Sequence, residues 1–256
     1  MGDSGHVTIA TGRANSGAGG YIQLSVGIGN SGEGGHVEIS AGQSSDPMGA
    51  TGGYLSIASG YSVVSSSGPI LLRTPNSGAL GVSGDITMST GTTANGNSGA
   101  FAIGTGDASS GRGGDFRVLV GTGNSGDGGD VLLYAGETSA MGGVGGSVVI
   151  TAGEGSSQSF TDGGDGGKVQ IFGGGAQGNN PNNYGGNIEM AGGFARAGFG
   201  GSIVVQTGYG RASSSGAFDL ATANAGHSGI SGDFAIFTGK VEGVVVWGCG
   251  VVWCWQ

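Results

Sequence analysis

Gly19-Gly20-Tyr21-Ile22-Gln23-Leu24-Ser25-Val26-Gly27 is one copy of a unit that recurs along nearly the whole chain. In general form the unit reads Gly-Gly-x-Φ-x-Φ-x-[Thr/Ala/Val]-Gly-x-[Ala/Gly/Ser/Thr]-x-Ser-Gly-x, where Φ is a large apolar residue. The first Φ falls on fifteen positions, from Val7, Ile22 and Val37 to Phe218 and Phe234, mostly fifteen or sixteen residues apart. Apolar residues that alternate with period two over about six residues are the signature of a strand with one covered face. A unit this short cannot bury its own apolar side and must stack on its neighbours.

The columns of the repeat sharpen that expectation. The second Φ column, which includes Ile9, Leu24, Ile150 and Ile236, contains no polar member and reads as the spine of a core. The residue after each strand is Gly in all repeats but two, where Pro75 and Ala223 stand instead. Two residues further on, the position is small, as at Ala14, Gly29, Ser44 and Gly155, which predicts a return segment packed close to the strand. Together these features predict an all-β chain, a parallel β-solenoid (β-helix) of about fifteen turns with a 15–16-residue repeat over 1–239. An antiparallel meander is the rival architecture, but it needs hairpin loops of about eight residues throughout, longer than hairpins favour.

Composition narrows the function classes. Gly supplies 65 of 256 residues against 4 Pro, yet no Gly-X-Y triplet runs through the chain, which excludes collagen. A low-complexity tract has no reason to hold Val, Ile, Leu and Phe in register, so the periodicity predicts order. A net charge of −9 with only 8 basic residues argues against nucleic acid, whose phosphates call for a Lys and Arg surplus. No charged stretch followed by an apolar one opens the chain, so the sequence shows no signal peptide. The segment 240–256 leaves the pattern, carrying Cys249 and Cys254 and the Val-Val-Trp stretches. At this length it is too short to span a membrane and reads as a cap on the open end or a non-native extension.

Few residues carry chemistry. His6, His36 and His227 have no partner at metal-ligand spacing, no Ser sits in a nucleophile-elbow context, and paired carboxylates in a cleft are not evident. No catalytic residue is assigned and the chain is not expected to be an enzyme. Asp115 and Asp130 fall at the same repeat position, so in a stacked coil they would lie one above the other and either repel or hold a cation. Calcium is therefore the one cofactor to weigh against none. Leu119, Leu132, Tyr134, Val149 and Phe172 take outward positions on neighbouring repeats and form the candidate partner contact. The longer spacings between Val131 and Ile188 predict loops that bulge, among them Gln158 to Asp165 and Ala176 to Tyr184.

The repeat resembles the Gly/Ser/Thr-rich Gly-Gly-x-Φ-x-Φ-x-[Ala/Thr]-Gly arrays of microalgal and microbial surface proteins, and in architecture it is similar to ice-binding solenoids. The resemblance covers about residues 5–239. It implies an extracellular or cell-surface location and a non-enzymatic structural or adhesive rod, which could be a fragment of a longer repeat protein. Partners on this reading are a surface, polysaccharide or other protein chains, with end-to-end or lateral self-association. An ice-binding protein with a flat solenoid face is the alternative, although the column between the Φ residues is chemically mixed rather than a rank of Thr. A carbohydrate-acting β-helix enzyme is the third reading.

Overall fold

The period-two alternation is present as a difference in exposure between the two sides of each apolar segment. From Ile22 to Phe234 the first Φ residues are 49 to 63 % exposed, whereas Tyr21, Tyr54, Leu71, Leu119 and Val149, on the opposite parity, lie between 79 and 89 %. One side of each segment is thus more covered than the other, as alternating side chains on such a backbone dictate. The computed structural model describes residues 4–227, 229–237 and 239, so the segment 240–256 and its two cysteines lie outside the described residues.

Beyond that alternation nothing closes over the apolar side. Among the described residues there is no helix and no strand, and no residue is buried. The accessible surface is 26580 Å². A folded chain of this mass would expose about 10,000 Å² and a fully extended one about 35,500 Å². The expectation of an all-β parallel β-solenoid, or β-helix, of about fifteen turns is therefore overturned, and so is the reading of the second Φ column as a core spine. Ile150, a central member of that column, is 68 % exposed. The antiparallel meander does not form either, since among the described residues no ladder joins neighbouring segments.

A local contact takes the place of the stack. The glycine two residues before the first Φ is invariant in all fifteen repeats. At seven junctions its N–H donates to the carbonyl of the glycine that ends the preceding apolar segment: Gly53 to Gly42, Gly68 to Gly60, Gly146 to Gly136, Gly167 to Gly153, Gly186 to Gly174, Gly201 to Gly193 and Gly216 to Gly208, at 2.8 to 2.9 Å. Each bond closes the base of the loop between two apolar segments. At these seven junctions the bond competes with a stacked coil. One repeat per turn would set Gly53 over its equivalent Gly35, but in the structure the Gly53 N–H is already committed to Gly42. Closing a short loop is entropically cheap beside ordering the whole array, and a glycine-rich backbone raises the ordering cost further.

The closure is indifferent to loop length and sensitive to the side chain beside it. The loops 43–52, 154–166 and 175–185 close with the same bond as the shorter 61–67 and 194–200. The residues added around Gln158 to Asp165 and Ala176 to Tyr184 are held inside closed loops, in keeping with bulges on a constant base. Six of the seven bonded junctions carry Ala41, Ser59, Ala135, Ala152, Gly173 or Gly192 just before the accepting glycine, and the seventh carries Thr207. Where that residue is Thr11, Val26, Thr74, Thr90, Thr105 or Val120, the loop ends still approach but no such bond forms. At the two valine junctions the side chain crowds the glycine, with Val26 Cγ1 2.6 Å and Val120 Cγ1 2.9 Å from where a Cβ would stand on Gly35 and Gly129, whereas at Thr207 the bond forms beside a branched residue. Glycine is required there by this approach, and a Cβ would force the junction open.

Many of the described loops bend at a shared offset. In eight repeats the bend occupies the eighth to tenth residues after the first Φ, as at Asn15-Ser16-Gly17, Asn30-Ser31-Gly32 and Asn124-Ser125-Gly126. Gly32 and Gly126 have φ of 83° and 73°, a region in which a Cβ is strained, which accounts for the glycine at these two bends. The small-residue column belongs to the same geometry. Gly155 packs on the backbone of Gly164 and Asp165, and Gly210 on that of Ser213 and Ser214. The column is small because the two arms of one loop meet there, not because a return segment lines a thin core.

A measurable consequence follows within the chain itself. Gly201 and Gly114 are both preceded by glycine, so their intrinsic amide exchange is nearly matched, but only Gly201 is bonded. The Gly201 N–H should exchange roughly two- to twelvefold more slowly than that of Gly114, the range set by a net hydrogen bond of about 0.5–1.5 kcal/mol. Thr105→Ala should narrow the gap by letting Gly114 close on Gly106. Equal rates in the parent, read by NMR, would remove the closure.

The chain divides into two units, Met1–Leu119 and Val120–Gln256. Each contains the same alternation of apolar segment and loop. Among the described residues four are of intermediate exposure, Thr74 in the first unit and Ala152, Gly155 and Thr207 in the second, all at or near loop bases. The most covered of the described residues thus lie at junctions.

Candidate functional site

The residues with chemistry to offer are local to single loops. Asp115 has both carboxylate oxygens engaged: Arg112 Nη2 donates to Oδ1 at 2.6 Å and Arg117 Nη2 to Oδ2 at 2.7 Å. The sequence spacing explains the cluster, since the two guanidiniums reach back and forward over two or three residues to the carboxylate between them. The arginines are 81 and 73 % exposed, so the pairs are screened by water and hold local geometry more than stability. Asp115 thus already has its positive partners, and a cation would have to displace them. Asp130 belongs to the second unit and Asp115 to the first. Among the described residues no three His, Cys, Asp or Glu side chains converge as a metal would need. Millimolar calcium should leave the Arg112 and Arg117 side-chain NMR signals unmoved; a saturable shift of both would place the ion on Asp115.

The five apolar residues of the candidate contact are all exposed, with Leu119 in the first unit and Leu132, Tyr134, Val149 and Phe172 in the second. They are not set apart from the remaining apolar positions, because every large apolar side chain among the described residues is exposed. His6, His36 and His227 are exposed too. A shallow depression of about 350 Å³ lies over four consecutive residues, Arg73, Thr74, Pro75 and Asn76, where Pro75 replaces the usual glycine. It is a local irregularity of one repeat and brings no acid, base or nucleophile pair together.

What the molecule presents instead is regular. Apolar segments stand in the open at near-constant intervals, separated by loops whose arms are held by side chain to backbone bonds. Met48 N–H donates to Asp46 Oδ1 at 2.8 Å, Ser65 N–H to Ser62 Oγ at 2.9 Å, and Asn182 N–H to Asn180 Oδ1 at 2.9 Å. These are the Asx and Ser/Thr turns that short polar side chains support. Near the middle of three of the loops stands an exposed apolar residue, Met48, Met141 or Phe160, joined in the second by Val144. Reading the sequence by columns missed the partner of the opening glycine, although its invariance across fifteen repeats was the available signal.

Among the described residues no helix is long and apolar enough to cross a membrane. Comparison with protein-family models, with curated proteins and with solved structures finds no match to this chain.

Proposed function

We propose that the chain is a non-enzymatic structural or adhesive protein of an extracellular or surface setting, which acts by many weak contacts rather than through one site. The observation that carries this reading is the exposure of every apolar segment at nearly regular intervals. Ordinary soluble proteins do not leave so much contiguous apolar surface in water, and where it occurs it marks contact with another surface or chain. Each segment alone holds weakly; tethered in one chain, the second and later contacts are intramolecular and gain from high effective concentration. The polar loops keep successive segments apart, and a net charge of −9 limits collapse between copies. Polysaccharide, mineral or protein surfaces are partners of the right kind, because none demands a shaped pocket. The resemblance to surface-protein arrays supports the setting. Ice adsorption needs a flat face of ranked hydroxyls, whereas the column between the Φ residues is chemically mixed. The test is adsorption to an alkyl-coated and a polysaccharide-coated surface, for the parent and for variants with Φ pairs replaced by Ser; adsorption unchanged by those replacements overturns the reading.

A further inference from the structure

Two of the fifteen repeats differ from the rest in a shared way. Gly146-Ser147-Val148-Val149-Ile150-Thr151-Ala152-Gly153 and Gly201-Ser202-Ile203-Val204-Val205-Gln206-Thr207-Gly208 each carry three consecutive β-branched apolar residues, so both sides of the segment are apolar. In other repeats the residue between the Φ pair is usually polar, charged or small, as at Gln23, Glu38, Ser56, Ala102 and Asp219. The central residues Val149 and Val204 are both 81 % exposed. No charge lies between Glu137 and Glu154, or between Arg196 and Arg211, and neither window contains Pro. The backbone of both segments is unpaired, yet both ends are pinned. Gly146 bonds to Gly136 and Gly167 to Gly153 around the first, and Gly201 to Gly193 and Gly216 to Gly208 around the second.

High β propensity, no charge, no Pro and an open backbone edge are the features by which identical segments pair between chains. We propose that 147–152 and 202–207 are self-pairing segments, at which the same segment of a second copy of this chain adds to the open backbone and stacks its valines and isoleucines on both sides. The inference rests on the multivalent structural reading above and names the partner within it. A second copy is the occupant the observations favour. It matches spacing and side chains by identity, and the charge-free windows around both segments bring no like charges together when copies meet there. Pinned segment ends also reduce the ordering cost of pairing.

The test is light scattering against concentration together with amide I infrared spectra of mixed ¹³C-labelled and unlabelled chain. The parent should associate with an intermolecular ladder signal in which labelled and unlabelled strands couple. Val149→Lys with Val204→Lys should raise the onset concentration at least about tenfold, although it lowers the net negative charge and so weakens general repulsion. Ser56→Lys with Thr87→Lys, which makes the same charge change between other Φ pairs, should behave as the parent. A parent that stays monomeric to about millimolar, or a valine variant that associates as readily as the control, overturns the proposal. If in the second case Ser replacement of Φ pairs still weakens surface adsorption, the adhesive reading stands and self-pairing alone falls.

Discussion

Heating a dilute solution of the chain in a calorimeter should give no cooperative endotherm. A folded protein of 256 residues absorbs about 0.7 kcal/mol per residue near 60 °C, or some 180 kcal/mol in all, when its core and ladders come apart together. Here no described residue is buried, and the chain already exposes about three-quarters of the surface of its extended form. The seven loop closures are each local, so they open one by one and spread their small heats over a wide range. Ile150→Asp separates the two architectures at a single residue. In a solenoid it would bury an unpaired charge and unstack the neighbouring turns. With Ile150 at 68 % exposure the aspartate stays in water, and the dilute variant should match the parent in heat capacity and amide exchange. A sharp transition whose van't Hoff and calorimetric enthalpies agree, and which this substitution lowers, would restore a packed core.

How much of this was legible in the sequence depends on the range of the interaction. The period, the two-sided alternation and the bend at the Ser-Gly step are local properties, set by side-chain direction and by glycine's access to positive φ, and the structure carries all three at Ile22, Val149 and Gly126. The step from alternation to a stacked coil is not local. It requires that parallel pairing across fifteen residues outweigh every nearer use of the same backbone groups, and columns of residues do not report that competition. At half of the junctions the opening glycine takes part in that competition. Gly53, Gly146 and Gly201 stand in the sequence as the opening of the repeat unit, but their N–H groups close the preceding loop and are lost to any ladder. Two large apolar residues in about fifteen give too little burial to reverse the choice. The acidic pair was legible only in part, for the same reason. Asp115 was read against Asp130 a repeat away, while Arg112 and Arg117 stood within three residues of it.

Replacing both Φ residues by Ser in a growing number of repeats should lower surface affinity geometrically, with no repeat more important than another. The repeats of Ile22 and Leu24, Ile86 and Met88, Phe101 and Ile103, and Phe218 and Leu220 suit the series, because they lie outside both self-pairing segments. Full burial of one such side chain is worth about 1.5–3 kcal/mol. A flat surface covers only one side of a segment, and immobilising each side chain costs about 0.5–1.5 kcal/mol, which leaves about 1 kcal/mol per repeat. Four silenced repeats should then weaken adsorption by about 4 kcal/mol, close to a thousandfold. The logarithm of affinity should fall in a straight line with the number silenced, whichever are chosen, since contacts made by tethered, independent segments add. A discrete site would give a different curve: one repeat would carry nearly the whole loss and the other three almost none. That step, read by quartz microbalance on the alkyl-coated surface, would replace distributed adhesion with local recognition. A flat line would remove the apolar segments from adhesion altogether and leave the polar loops as the contact.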